Sequence, residues 1–255
     1  VLRKNERVEK EFLMLDDKKA SPDFERIWDF AFSPDGKHIA YYAKTGDKVF
    51  LMLGKKKISP PLDGDFYGRK IFFSNNGKQI IYVAKINENH TLMINDRAYS
   101  TVFDDIIDIK ISRDGKKIAF IVVKDEKRFI LLNNEIIKPA LDYASDIVFN
   151  QNGDKIAYRG VIKDKEFIMV NNEKITPLTK EAPTIRRISR PIFSPFSDEI
   201  TYVASSGECE YFILTGEGKK VSPDFCSVEK QYFHDGKFCF AGYDKNKKIV
   251  TGATR

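Results

Sequence analysis

Six carboxylates recur along the chain at near-even spacing, and their type and placing suit them to chemistry. Asp23, Asp63, Asp104, Asp142, Glu181 and Asp224 each follow a short strand-like stretch and precede a longer one. Carboxylate oxygens ligate hard cations such as Ca2+. A ring of them would also draw in a cation or a basic peptide through its field. An Asp in such a segment equally accepts backbone N–H groups of its own turn, so a capping role stands beside the ligand ring. A second recurring set, Asp29, Lys70, Asp108, Asp146, Arg190 and Lys230, balances three acids against three bases. Opposite neighbours in this set are expected to pair and hold successive units in register: Lys230 with Asp29, Asp29 with Lys70, Lys70 with Asp108, and Asp146 with Arg190. The alternative is a polar lining that receives a ligand.

The remaining reactive side chains form no constellation. His38, His90 and His234 fall at unrelated positions. Neither a Gly-x-Ser-x-Gly elbow nor a His-Glu-x-x-His pair occurs, so neither an esterase-type nucleophile nor a zinc-protease site is expected. Gly216-Glu-Gly-Lys219 lacks the spacing of a phosphate loop and reads as a turn. Asn89-His-Thr91 is a formal glycosylation acceptor. Cys209, Cys226 and Cys239 have no metal-ligand spacing and read as small apolar fillers. Three thiols allow one internal pair at most. No catalytic residue, no metal ligand and no cofactor is therefore expected, and Ca2+ at the acid set has no further support.

Composition narrows the partners. Of 255 residues, 42% are hydrophobic and 13% aromatic, which suits a packed globular chain. No apolar run approaches the roughly 18 residues of a membrane span. The net charge of +6 is diluted over 43 bases and 37 acids. A nucleic-acid footprint calls for clustered Arg with interleaved aromatics, so that partner is disfavoured. The opening Val1-Leu-Arg-Lys-Asn-Glu-Arg has no apolar signal core; because the chain begins at Val, export stays open.

The elements that must position these residues follow from an internal repeat. Phe32-Ser-Pro-Asp-Gly-Lys-His-Ile-Ala-Tyr41 returns as Phe73–Tyr82, Ile111–Phe120 and Phe149–Tyr158. It returns in degenerate form as Phe193–Tyr202, with Ser197 in the glycine position, and as the shorter Phe233–Phe240. The anchors Gly36, Gly77, Gly115, Gly153, Ser197 and Gly236 are 41, 38, 38, 44 and 39 residues apart. That is the period of a four-stranded propeller blade, about 40 to 50 residues. Asp-Gly or Asn-Gly turns join strand A to strand B in each copy. A third apolar run, such as Val49–Leu53 or Phe129–Leu132, makes strand C, and a short strand D follows. Phe32, Phe73, Ile111, Phe149, Phe193 and Phe233 are expected to form one packing layer, and Tyr41, Tyr82, Phe120, Tyr158 and Tyr202 another.

The expected fold is all-β: a single domain over 1–255, with 1–10 as lead-in, folded as a six-bladed β-propeller with four-stranded antiparallel blades. The N-terminal C–D strands (Glu11–Leu15 and Lys18–Ser21) would join the C-terminal A–B strands and close the ring. Lys247–Thr251 is left over as a further C strand.

The Phe-Ser-Pro-Asp-Gly-Lys-x-Ile-Ala-Tyr unit resembles the WD40-like (PD40) repeat of TolB-type six-bladed propellers, over nearly the whole chain. That resemblance implies a non-enzymatic, monomeric scaffold that binds a protein or peptide through its loop face and channel mouth. It also implies an exported or periplasmic protein. Serine peptidases with such propellers carry a separate hydrolase domain, of which this sequence shows no sign. The rival function is a metal-dependent propeller hydrolase or lactonase, or a carbohydrate-processing enzyme, using the channel.

Overall fold

The computed structural model describes residues 2–5, 10–63, 71–86, 88–171, 173–175 and 185–253. Every regular element among them is a β-strand, and every ladder is antiparallel. The chain divides into two compact units, Val1–Ile106 and Ile107–Arg255.

In the first unit, β1 (Leu2–Asn5), β2 (Lys10–Leu15) and β3 (Lys18–Lys19) form a three-stranded sheet in chain order. Two four-stranded sheets follow. One is β4 (Arg26–Phe32), β5 (Ile39–Thr45), β6 (Lys48–Leu53) and β7 (Lys56–Lys57); the other is β8 (Phe72–Phe73), β9 (Ile80–Ile86), β10 (Asn89–Ile94) and β11 (Arg97–Ala98). The second unit's first sheet is β12 (Asp105–Ile111), which starts just before the boundary, with β13 (Ile118–Lys124), β14 (Lys127–Leu132) and β15 (Glu135–Leu141). Next come β16 (Tyr143–Phe149), β17 (Ile156–Ile162), β18 (Lys165–Val170) and β19 (Glu173–Lys174). In the following sheet strand A is split into β20 (Arg187–Ile188) and β21 (Ile192–Phe193), both paired with β22 (Ile200–Ser205), which also pairs with β23 (Tyr211–Thr215). The last sheet is β24 (Ser227–His234), β25 (Lys237–Tyr243) and β26 (Ile249–Ala253).

The A-B-C-D order expected from the repeat is realised in four sheets, β4–β7, β8–β11, β12–β15 and β16–β19. Closure is where the structure departs from expectation. The leftover segment becomes β26, which pairs with β25 from Tyr243↔Ile249 to Cys239↔Ala253. It takes the edge that a closing C strand would need. The lead-in supplies β1, which pairs along β2 from Leu2↔Leu13 to Asn5↔Lys10. No ladder between the first and last sheets occurs among the described residues.

The B strands lie at the centre of their sheets, which explains their unbroken apolar sequences. Five consecutive residues of β5, Ile39 to Ala43, are buried. Tyr41 packs on one face with Leu13, Phe24 and Ile27. Tyr42 packs on the other with Trp28, Leu62 and Tyr82. In the second unit Tyr158 packs with Ile121, Ile130 and Phe167, and Tyr202 with Ile168, Ile188 and Phe212. The expected second layer, Tyr41, Tyr82, Phe120, Tyr158 and Tyr202, is wholly buried. The expected first layer is not uniform: Phe193 is buried, whereas Phe32 is 47% exposed and meets Phe30 edge-to-face.

The A–B turns show why the repeat reads Ser-x-Asp/Asn-Gly. Ser33 Oγ donates to Asp35 Oδ1 at 2.6 Å, and the Lys37 N–H donates to the same oxygen at 3.1 Å. Ser74 with Asn76, and Ser112 with Asp114, repeat the arrangement. Gly36 follows at φ 70°, a conformation that costs a glycine little. In the sixth copy Asp235 and Gly236 both have positive φ, and His234 pairs with Lys237. This two-residue turn accounts for the shorter repeat.

Bonds from Ser33 and Ser112, then from the Lys37 and Lys116 N–H groups, hold the Asp35 and Asp114 carboxyls below their ordinary pKa. A carboxyl depressed in the folded state adds stability above its unfolded pKa and loses it as pH falls through the folded value. The double variant Asp35→Asn/Asp114→Asn is therefore expected to melt near wild type at pH 7, because Asn76 already serves this role. The fall in its melting temperature between neutral and acid pH should be smaller than that of wild type, as measured by circular dichroism.

Candidate functional site

Four of the six recurring loop acids are matched by a lysine close by in the chain or on the same sheet. Asp23 accepts from Lys19 at 2.6 Å, Asp63 from Lys48 at 2.8 Å and Asp224 from Lys220 at 2.6 Å. Asp142 accepts from Lys127 Nζ at 2.6 Å and from the Lys163 N–H at 2.7 Å. At Asp104 it is the backbone carbonyl that meets His90 Nδ1, at 2.7 Å. Glu181 lies outside the described residues. Such half-exposed pairs contribute little individually; their geometry fixes the loops. No cluster of three His, Cys, Asp or Glu side chains suited to a metal ion occurs among the described residues. Nor do the histidines converge: His90 is buried beside Asp105 at 3.7 Å, and His234 is exposed beside Asp235. Gly216–Lys219 is the β-turn expected, with the Gly218 N–H donating to Thr215 O.

The second recurring set marks a repeated break in strand A. The β4–β5 register shifts between Trp28 and Ala31, with Asp29 at φ 50°. The β16–β17 register shifts between Ser145 and Val148, with Asp146 at φ 62°. The β24–β25 register shifts between Val228 and Lys230. A bulge needs a residue that tolerates the left-handed region, and Asp is among the few that do. Asp146 accepts from Ser145 Oγ at 2.6 Å and lies 3.8 Å from Arg159 Nε. Asp108 accepts from Lys110 Nζ at 2.5 Å and from the Ile147 N–H of the next sheet at 3.3 Å. Lys70 lies outside the described residues, and Arg190 lines a cleft described below.

One inter-sheet device gave no signal in the sequence. Glu166 Oε2 accepts the Ile188 N–H at 2.6 Å while Arg159 Nη1 donates to the Ile188 carbonyl at 3.0 Å. Together they clamp both backbone groups of one residue in the next sheet. Glu11 accepts the Ile27 N–H at 2.7 Å in the equivalent place in the first unit. Arg159→Leu is expected to destabilise the second unit by about 1–3 kcal/mol, by leaving buried polar groups unmatched; urea unfolding followed by circular dichroism measures it.

The second unit contains a cleft of about 390 Å³ at the turn-proximal ends of three successive A strands. Lys110, Arg113 and Arg190 line it, with no Asp or Glu among the lining residues. The half-buried Ile111, Phe149 and Ile192 form its apolar wall. Lys110 is engaged by Asp108, whereas Arg113 and Arg190 are exposed. The split in strand A makes the recess. Pro191 has no N–H to give to a ladder, and the Ser189 hydroxyl accepts the Val203 N–H at 3.1 Å in place of a backbone partner.

Directly after the lining residue Pro195 the repeat degenerates. Phe196 stands where the other turns carry the acceptor Asp35, Asn76 or Asp114, and it is 68% exposed. Its N–H donates to Ser194 Oγ at 3.2 Å, so the turn closes without a carboxylate or amide. Of the cleft, only Arg190 belongs to either recurring charge set; the departure at Phe196–Ser197 was the remaining trace of it in the sequence. A recess of about 580 Å³ in the first unit is lined by Lys56, Lys57 and Lys78, but Asp96 shares it.

Several solved structures are similar to this chain. One is a eukaryotic initiation factor, covering 90% of this chain and 66% of its own at 16% identity, with a TM-score of 0.56. TolB from Acinetobacter baumannii covers 76% of this chain and 53% of its own at 19% identity, with a TM-score of 0.44. The β-propeller domain of the Trilobed protease from Pyrococcus furiosus covers 86% and 78% at 12% identity, with a TM-score of 0.46. This chain thus spans about half the length of that TolB. At these identities the likeness, carried by the structure with a TM-score above 0.5, is one of fold alone; the chain itself is all-β, with several four-stranded antiparallel sheets. No protein-family model and no curated protein matches the chain.

Proposed function

We propose that this chain is a non-enzymatic propeller scaffold of six PD40-like A–B repeats that binds a protein or peptide partner. The observation that carries the reading is the cleft of the second unit. It joins an apolar wall and two exposed guanidiniums, and the exposed Phe196 directly follows its lining residue Pro195. Arg and aromatic side chains are enriched in binding hot spots. A fold supplies a frame and the site supplies the function, so the neighbours' activities add nothing to this argument. Selection of a random peptide library on the intact protein tests it. Counter-selection uses a protein carrying Arg190→Gln and Phe196→Asn. Enrichment of a common peptide that binds wild type at about micromolar strength and not the variant is the expected result. Peptides that bind both proteins alike, or no enrichment, would overturn it.

A further inference from the structure

We infer that the cleft takes an acidic, partly apolar peptide segment, a reading that rests on the binding role proposed above. The charge in the cleft is one-sided. Three cations line it, one is neutralised by Asp108, and no Asp or Glu is among the lining residues. Among the described residues the guanidiniums of Arg113 and Arg190 have no ion-pair partner, although elsewhere in this unit lysines meet acids at 2.6–2.7 Å. Guanidinium is planar, presents paired donors and matches a carboxylate in a bidentate fork. The half-buried Ile111, Phe149 and Ile192 line the same cleft, which suits aliphatic or aromatic side chains rather than a sugar-phosphate backbone.

Phe196 carries the argument further. Three of the other turns are self-contained because an Asp or Asn accepts two bonds within the turn. Phe196 gives up both bonds and leaves an aromatic ring in water. A position that breaks its own repeat rule at a cost to local stability marks a functional surface more often than a structural one. An acidic segment with apolar residues between its carboxylates satisfies all of this at once: carboxylates on Arg113 and Arg190, an apolar side chain on the wall, and Phe196 closing over it.

Fluorescence anisotropy with three labelled probes tests the inference on the intact protein. The first is a short peptide alternating Glu with Leu, the second its counterpart alternating Gln with Leu, and the third a thymidine oligonucleotide. The acidic peptide should bind, and the Gln peptide should bind at least about ten-fold more weakly. Its affinity should fall as salt rises, since the pairing is charge-driven. Arg113→Gln with Arg190→Gln should remove most of the binding, and Phe196→Asn should weaken it while restoring the turn acceptor of the second repeat. If the Gln peptide binds as tightly as the acidic one, the acidic preference is wrong and the peptide-binding role survives. Preference for the oligonucleotide, with the same arginine dependence, would replace peptide with nucleic acid. If neither peptide binds, both readings fall. The wild-type comparison of the two peptides stands on its own should a variant fold poorly.

Discussion

Tyr158→Ala is expected to destabilise the second unit by about 3–5 kcal/mol, the cost of emptying an aromatic site in a core. Tyr158 is wholly buried among Ile121, Ile130, Phe167 and Met169, and its sheet has neighbours on both faces to enforce close packing. Tyr158→Phe should have the opposite character. The Tyr158 hydroxyl is buried and has no hydrogen-bond partner among the described residues, and the third repeat already carries Phe120 in this position. Removing the hydroxyl relieves an unmet desolvation cost, so Tyr158→Phe should match wild type or gain about 1 kcal/mol. Tyr41 is the internal control. It is equally buried, but its hydroxyl donates to the Gly54 carbonyl at 2.6 Å. Tyr41→Phe should therefore lose about 1 kcal/mol.

The same hydroxyls set the alkaline limit. Burial pushes the Tyr41 and Tyr82 hydroxyls up to about 12 and Tyr158 higher still. An acid whose pKa is raised on folding keeps its full contribution below the unfolded value. It loses that contribution as pH rises from about 10 towards the folded one. Tyr158→Phe should accordingly lessen the loss of stability above pH 10. Urea titrations of the three variants at neutral and alkaline pH decide the matter. Equal losses for Tyr158→Phe and Tyr41→Phe would contradict the account.

What the sequence made legible was whatever one repeat unit determines by itself. Gly36 and its equivalents are needed for φ, and that need is local. The buried tyrosines fall at a fixed offset from the turn because strand B has one buried length. The Asp29 and Asp146 positions were visible as a charge set, but their bulge was not. A bulge changes the register of two strands without changing the residue types that alternate along either. The Glu166–Arg159 clamp and the cleft were illegible for a different reason. Each is assembled from several sheets, and the 44-residue interval between Gly153 and Ser197 gave no measure of which side chains would meet. Phe196 was readable only as a departure from the consensus, whereas the meeting of Arg113 and Arg190 in one cleft depends on the fold.

The cysteines correct the sequence reading outright, and they yield the second large expected effect. Cys209 and Cys226 are not apolar fillers; they form a disulfide across 17 residues, and Cys239 is the free thiol among the described residues. Cys209 lies between β22 and β23, and Cys226 directly precedes β24, so the bridge ties the last sheet to the one before it. It sits beside the Tyr211↔Phe225 bridge, where the Phe225 N–H donates to the Tyr211 carbonyl at 2.7 Å. Glu11↔Phe24, Val49↔Leu62 and His90↔Phe103 make the same bridge in the first unit without a disulfide. The covalent link therefore reinforces a join that elsewhere holds by two hydrogen bonds, at the place where the following sheet has only three strands. Closing a loop of this length restricts the unfolded chain by about 3 kcal/mol. Cys226→Ala should lower the melting temperature of the second unit by about 10 °C. Reductant should lower wild type by a similar amount and leave the variant unmoved, whereas Cys239→Ala should melt near wild type. A bridge of this kind persists where glutathione does not reduce it. Equal melting of wild type with and without reductant, at a confirmed free-thiol count of three, would show that the bridge does not stabilise the fold.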